Sequence, residues 1–339
     1  MTKPSLYDWT DEKEPIKENL EFQKCKQFGV PYMGGKSKIV KDLIPQLPSS
    51  KYFVDLFAGG CSMTHGAMLS GKYERFITND ISDAPSLFLD AINGKFKNET
   101  RWISRDDFFA LKDKEPYVRY CWSFGNMGKT YLYSREIEPY KKAFWEFAVF
   151  KNAEPLRTYG FNIDELLYLP TSYERRIAFR WYLTKLPFID KKGSHFYYKP
   201  SELKKYKGFN DNTMLDNLQS LQSLERLQSL EILERLQRLE SLEVYQGCYK
   251  EVKLPEPSEC VIYLDPPYIN TAGYIGDFNH DEFYDWCIEK AKQGYKVFIS
   301  EYDMPRDRFK SIFNVDKRQT LNGKGAGKLK QEHLFIPII

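Results

Sequence analysis

The tetrapeptide Asp265-Pro266-Pro267-Tyr268 carries the most specific chemistry in this 339-residue chain. It directly follows the apolar run Val261-Ile262-Tyr263-Leu264, which reads as a buried strand. Two consecutive prolines fix the backbone and remove two amide donors. The carbonyls there and the Asp265 carboxylate can then only accept hydrogen bonds, and Tyr268 adds a flat face. Acceptors beside a ring suit a planar group that bears an amino donor. The lone pair of such an exocyclic amine is delocalised into its own ring, so it is a poor nucleophile. Two acceptors on its hydrogens favour a more pyramidal nitrogen and free the lone pair for in-line attack on a methyl-cation equivalent. The chemistry indicated is methylation of an exocyclic amine, with Asp265, Pro266, Pro267 and Tyr268 as candidate catalytic residues. The plain alternative is a Pro-Pro turn that closes a strand.

A second stretch, Asp55-Leu56-Phe57-Ala58-Gly59-Gly60-Cys61-Ser62, ends another strand and opens a helix. Glycines there let the backbone approach a ligand closely. Asp80 follows about 20 residues on, at the end of the next strand, where an acidic side chain can bond both hydroxyls of a ribose. By itself this pattern fits any nucleotide-binding α/β domain; joined to the Asp-Pro-Pro-Tyr strand end it becomes specific. A third stretch, Pro31-Tyr32-Met33-Gly34-Gly35-Lys36-Ser37-Lys38, lacks the spacing of a phosphate loop and does not follow a strand, which excludes the NTPase reading.

The elements that must position these residues alternate strand and helix in two pieces. Lys51–Phe57 reads as a strand, Cys61–Leu69 as a helix and Arg75–Asp80 as a second strand. The pattern lapses over 101–210 and returns at Glu259–Leu264, Tyr295–Ser300 and His333–Ile339, with a helix over 281–293. One doubly wound α/β sheet with a middle insertion accounts for this better than two α/β domains. Between insertion and second piece, leucines fall at 215, 218, 221, 224, 227, 230, 233, 236, 239 and 242. Each three-residue step drifts about −60° around an α-helix, so ten such leucines spiral instead of forming a stripe. The period matches neither a heptad nor a leucine-rich repeat, and a passive spacer is expected.

Lys and Arg number 50 against 47 Asp and Glu, for a net charge of +3, which rules out a bulk polycation. No apolar run approaches the roughly 18 residues of a membrane span, and the start of the chain has no secretory core. The six cysteines form no C-x-x-C pair and the four histidines are scattered, so no metal site is expected. Reduced cytoplasmic thiols are the expected state. Local charge differs from the total. Residues 171–207 hold ten Lys or Arg against three acids, the excess that phosphate contacts need. Arg175, Arg176, Lys191 and Lys192 are the candidate DNA contacts there, the last two in a hairpin tip, Asp190-Lys-Lys-Gly-Ser-His195. Asn126, in a glycine-flanked loop, and Lys324 and Lys328, in a basic loop before the last strand, complete the DNA set.

The order Tyr32-Met-Gly-Gly-Lys36, Phe57-Ala-Gly-Gly60, then Asp265-Pro-Pro-Tyr268 after a long insertion resembles the Dam-like, alpha-class DNA adenine methyltransferases from about Phe28 onward. Cys61 stands where many members carry glycine. The resemblance implies a Rossmann-like S-adenosylmethionine-dependent methyltransferase sheet with a large inserted target-recognition domain. It implies a polar arm at 1–27, a catalytic domain at 28–100 and 245–339, a DNA-binding insertion at 101–212 and a leucine-triplet spacer at 213–244. S-adenosylmethionine is expected against Tyr32, Lys36, Asp55, Phe57, Ala58, Gly59, Gly60, Cys61, Ser62 and Asp80. Asp265 is expected as the acceptor and Tyr268 as the surface on which a flipped adenine stacks. Double-stranded DNA is the expected partner, with a cognate restriction endonuclease as a second. A monomer or weak dimer in the cytoplasm is expected, with no membrane association. Two rival readings remain open at this level: methylation of the cytosine amine, and a DNA-binding module with a degenerate site.

Overall fold

The computed structural model describes residues 20–230, 242–268, 278–318 and 329–339. The chain divides into two compact units. One takes the residues up to Gly94 and from Leu230 onward; the other is Lys95–Ser229.

The first unit is built on a seven-stranded sheet. Its strands are β1 (Tyr52–Asp55), β2 (Arg75–Asp80), β5 (Leu242–Gln246), β6 (Cys260–Leu264), β7 (Lys296–Glu301), β8 (Phe309–Arg318) and β9 (Leu329–Pro337). Their spatial order is β5-β2-β1-β6-β7-β9-β8. The first five run parallel, and β9 runs antiparallel to both β7 and β8. Parallel strands are covered on both faces and therefore read as unbroken apolar runs. In β6 all five residues, Cys-Val-Ile-Tyr-Leu, are buried. This is the α/β sheet that the motif order predicts.

The chain leaves β1 for β2 on one side and leaves β6 for β7 on the other. The crevice at the carboxyl ends of β1 and β6 is thus a topological switch point, where open α/β sheets bind ligands. Asp55 pairs in register with Tyr263, so Asp265 lies just past the end of β1. The helix Ser62–Ser70, which follows the glycine turn, is buried at every residue. The helix His280–Lys292 starts at Asn279, whose side chain accepts the Glu282 N–H at 3.1 Å.

β5 and β8 were not anticipated from the sequence. β5 is an edge strand with side chains mainly open to solvent, so it lacks the apolar run of a central strand. β8 is also an edge strand, and a bulge between Ser311 and Phe313 breaks its alternation.

The second unit packs the helices Glu138–Phe150 and Ser172–Leu183 with a hairpin of β3 (Ile189–Lys192) and β4 (His195–Tyr198). Its core is aromatic. Trp102 meets Trp122 edge-on at 5.0 Å, and the rings of Phe144 and Phe179 are 4.5 Å apart. Aromatic residues make up 16% of the chain, and many of those in this unit pack against one another.

The leucine repeat departs from the passive spacer expected of it. Its first part belongs to this second unit, where Gln219–Ser229 is an α-helix and Leu215, Leu218, Leu221, Leu224 and Leu227 are all buried. The drift of the period is tolerable over 11 residues. At 100° per residue, Ser223, Leu227, Ser220, Leu224 and Leu221, the buried positions, fall within an arc of about 160°. Small serines fill the gaps that a period of three leaves on that face. Leu233, Leu236 and Leu239 lie outside the described residues.

Candidate active site

The glycine turn after β1 is held from three sides. Ala58 donates its N–H to the Asn79 carbonyl at 2.9 Å. Gly59 donates its N–H to Asp80 Oδ2 at 2.8 Å, and Ser82 N–H bonds Asp80 Oδ1 at 2.8 Å. Tyr32 lies directly over the turn: a Cβ on Gly60 would stand 2.6 Å from the Tyr32 Cβ, and one on Gly59 2.8 Å from its ring. Glycine at 59 and 60 is therefore a steric requirement of this packing. Cys61 comes next with φ +57, the left-handed region that glycine enters without cost, which accounts for the glycine so common there. Its buried thiol is pushed up, by burial first and then by the nearby Asp55 carboxylate, so it is a packed group and not a nucleophile. Ser62 donates to the Phe28 carbonyl at 3.0 Å and ties the segment before Tyr32 to the start of the helix. Phe57 packs edge-on against Phe278 and Phe283.

Lys36, Asp265 and Tyr268, far apart in sequence, meet at the end of β6. The Lys36 ammonium lies 2.5 Å from Asp265 Oδ1 and also bonds the Tyr268 hydroxyl. Two residues that sequence reasoning missed complete the cluster. Glu332 of β9 accepts from the Tyr268 hydroxyl at 2.6 Å and from Ser300 Oγ at 2.8 Å, and it stands 3.2 Å from Lys36. Strand parity does not single out Glu332 in the sequence, because Leu334, Phe335 and Ile336 are buried alike. Glu301 ends β7 and is buried beside them. Of the group bonded to Lys36, Asp265 is the open member. Its side chain is 19% exposed, against 3% for Lys36 and 0% for Glu332. The Tyr268 ring is largely covered, with Tyr302 at 4.4 Å and the Lys36 ammonium at 4.7 Å from its centre.

The crevice is electrostatically acidic. Asp55, Asp80, Asp265, Glu301 and Glu332 lie at or just past the carboxyl ends of the parallel strands, and Lys36 pairs with Asp265 and Glu332. Burial pushes the Asp55 carboxyl up to about 7; the Thr64 hydroxyl, 2.8 Å away, opposes this, and Asp265 and Asp80 add to it. Burial likewise pushes Glu301 up to about 8, with Asp265 and Glu332 adding to it against the Tyr302 N–H. Burial alone would lower the Lys36 pKa, but Asp265 and Glu332 outweigh it and hold the ammonium above its ordinary range. Among the described residues, Asp55 Oδ1 and Glu301 Oε2 are buried without a hydrogen-bond partner. The unsatisfied buried oxygen of Asp55, just before the glycine turn, suits a ligand that brings hydrogen-bond donors. Among the described residues no cluster of His, Cys, Asp and Glu fits a metal ion.

The candidate DNA contacts, taken within the second unit, divide sharply. Arg175 and Arg176 are buried and bonded within the unit. Arg175 donates to the carbonyls of Ala148 at 2.8 Å and Leu169 at 2.5 Å, so it satisfies a carbonyl in the last turn of Glu138–Phe150. Arg176 forms a bidentate pair with Glu225 of the repeat helix, at 3.2 and 2.5 Å. A charge count along a helix cannot tell which arginines face inward. Lys191 and Lys192 are exposed at the end of the hairpin, where Gly193 takes φ +61 in open space. Asn126 has φ +57 and bonds the Tyr120 carbonyl at 2.7 Å, so it shapes its own loop. Lys324 and Lys328 lie outside the described residues.

No helix among the described residues is long and apolar enough to cross a membrane. A search of curated proteins returns no match. The family model described as D12 class N6 adenine-specific DNA methyltransferase matches residues 32–311, a span that holds the glycine turn, the whole second unit and the Asp-Pro-Pro-Tyr strand end. Of the two amines that an acceptor pair at Asp265 could take, that description names the adenine N6, and it names an enzyme rather than a binding module. The chain belongs to the D12 class of N6 adenine-specific DNA methyltransferases.

Proposed function

We propose that this enzyme takes its methyl group from S-adenosylmethionine and delivers it to an adenine flipped out of double-stranded DNA, at the crevice between β1 and β6. The observation that carries this reading is the arrangement at Asp265: the most open carboxylate of the cluster, at a strand end, beside a ring and an ammonium group. The residues present fit the donor. The glycine turn offers close backbone approach, Asp80 keeps lone pairs toward a ribose, and the unpaired oxygen of Asp55 suits hydrogen-bond donors. S-adenosylmethionine supplies a methyl group on a cationic sulfur.

The Asp265 carboxylate accepts one hydrogen of the adenine amine, and a backbone carbonyl of the Pro-Pro segment accepts the other. The N6 lone pair then forms the new N–CH₃ bond as the S–CH₃ bond breaks, and the nitrogen, now cationic, gives up a proton on the side of Asp265. Tyr268 provides the planar surface, and a base stacking on it takes the place of one of its present neighbours. Extrusion of the base costs a few kcal/mol, recovered in stacking and pocket hydrogen bonds. Lys191 and Lys192 contact phosphate at the hairpin tip. A cytoplasmic location is in keeping with six cysteines none of which forms a disulfide. A monomer or weak dimer, working beside a cognate restriction endonuclease, completes the reading.

The test is transfer of a labelled methyl group from S-adenosylmethionine to unmethylated duplex DNA. Asp265→Ala removes the side-chain acceptor, and should cut the rate by about 10²–10³-fold. Transfer at the parental rate would remove Asp265 from the mechanism. Sequencing that maps methylated adenines in DNA from cells expressing the protein would give the target site.

A further inference from the structure

Glu332 lies outside the three motifs and beyond the residues matched by the family model. It nevertheless has three partners within the crevice. Its Oε1 atom takes the Tyr268 hydroxyl at 2.6 Å, the Ser300 hydroxyl at 2.8 Å and the Lys36 ammonium at 3.2 Å, and the side chain is fully buried. Strand β9 places it there. Glu301 of β7 pairs in register with His333, which sets the preceding residue of β9 at the carboxyl end of the parallel strands.

The geometry poses a conflict that Glu332 resolves. Lys36 lies 2.5 Å from Asp265 Oδ1, on the carboxylate that accepts the incoming amine in the proposed reaction. A lysine with Asp265 as its one anion would hold that carboxylate against the substrate. A second carboxylate, Glu332 at 3.2 Å from the ammonium, gives it somewhere to go. We propose that Glu332 is a positioning residue for methyl transfer: it holds Lys36 and the Tyr268 hydroxyl, so that Lys36 yields Asp265 to the substrate amine while remaining charged and bonded. Glu332 touches neither reactant and acts through these two side chains. The inference rests on the reading of Asp265 as the acceptor for the amine.

The experiment compares variants of the full-length enzyme in single-turnover methyl transfer, with DNA and S-adenosylmethionine both saturating, alongside the affinity for each. Glu332→Gln keeps shape and an acceptor for the hydroxyls but removes the charge. It should slow transfer by about 10- to 100-fold, the scale of a small misplacement at a reacting centre, with both affinities within about 2-fold of the parent. Because Glu332 acts largely through Lys36, adding the change to a Lys36→Met enzyme should slow it little further. A parental rate in Glu332→Gln would overturn the proposal. So would effects that multiply in the double variant, or a loss of rate matched by an equal loss of S-adenosylmethionine affinity. Should Glu332→Gln fail to fold, Tyr268→Phe cuts one of the three bonds and leaves the carboxylate in place; it should slow transfer several-fold at unchanged S-adenosylmethionine affinity, and an unchanged rate would equally overturn the proposal. Asp265→Ala run in parallel separates the two ideas. If it retains activity, the acceptor assignment fails; if it is inactive while Glu332→Gln is normal, only the role of Glu332 fails.

Discussion

At the scale of single residues, the site joins one open acid, Asp265, to two, Asp55 and Glu301, that burial pushes up to about 7 and about 8. Asp55 makes this measurable. Its carboxyl goes from the ordinary 3.8 to about 7 on folding, so the folded protein keeps a proton that the unfolded chain releases between those values. The stability tied to that proton is present below pH 3.8 and is lost as pH rises through 7. Asp55→Asn removes the cost of the buried charge. It should stabilise the ligand-free protein at pH 8 by on the order of 2 kcal/mol and narrow the gap in melting temperature between pH 6 and pH 8. It should also weaken S-adenosylmethionine binding. Thermal melts at the two pH values check the first point, and a gap as wide as the parent's would show that Asp55 carries no such cost. Asp265, Tyr268, the glycine pair and Asp80 were legible because their chemistry is bound to strand ends that the sequence marks by apolar runs. Glu332 and Glu301 were not, because a buried acid inside a strand looks like any surface acid until its partners are known.

At the scale of elements, the helix Gln219–Ser229 carries the clearest lesson. Its leucines were read by period alone, and a period of three is a poor stripe over a long helix. Over three turns, with serines between, it is a good one. Leu224→Ala should therefore destabilise the protein by about 2–4 kcal/mol, as a core leucine does, and calorimetry would reveal it; a loss under half a kilocalorie would restore the passive spacer. Arg176 belongs to the same packing through Glu225, so Arg176→Ala should lower stability far more than it changes the salt dependence of DNA binding. The central strands were readable in sequence and the edge strands β5 and β8 were not, since an edge strand half open to water keeps no unbroken apolar run.

At the scale of the whole molecule, a net charge of +3 is an average of two unlike parts. Lys95–Ser229 carries 24 Lys and Arg against 17 Asp and Glu, an excess of seven; the remainder carries 26 against 30, a deficit of four. DNA affinity should fall steeply with salt while S-adenosylmethionine affinity, governed by buried groups, changes little. Replacing Lys191 and Lys192 together by Ala should flatten the log–log salt slope by about 1.8 if each contacts a phosphate, measured by fluorescence anisotropy; an unchanged slope would place the phosphates elsewhere. The same division has a consequence for how the enzyme is made. Lys36 and Asp265 are separated by 229 positions, and β1 finds its partner β6 only after all of Lys95–Ser229 has been translated. A ribosome that has finished the second unit has released a basic, aromatic body but none of the acceptor that does the chemistry. Assembly of the central sheet is therefore a late, long-range event and a slow one, and a nascent chain acquires its charge for nucleic acid well before it can methylate.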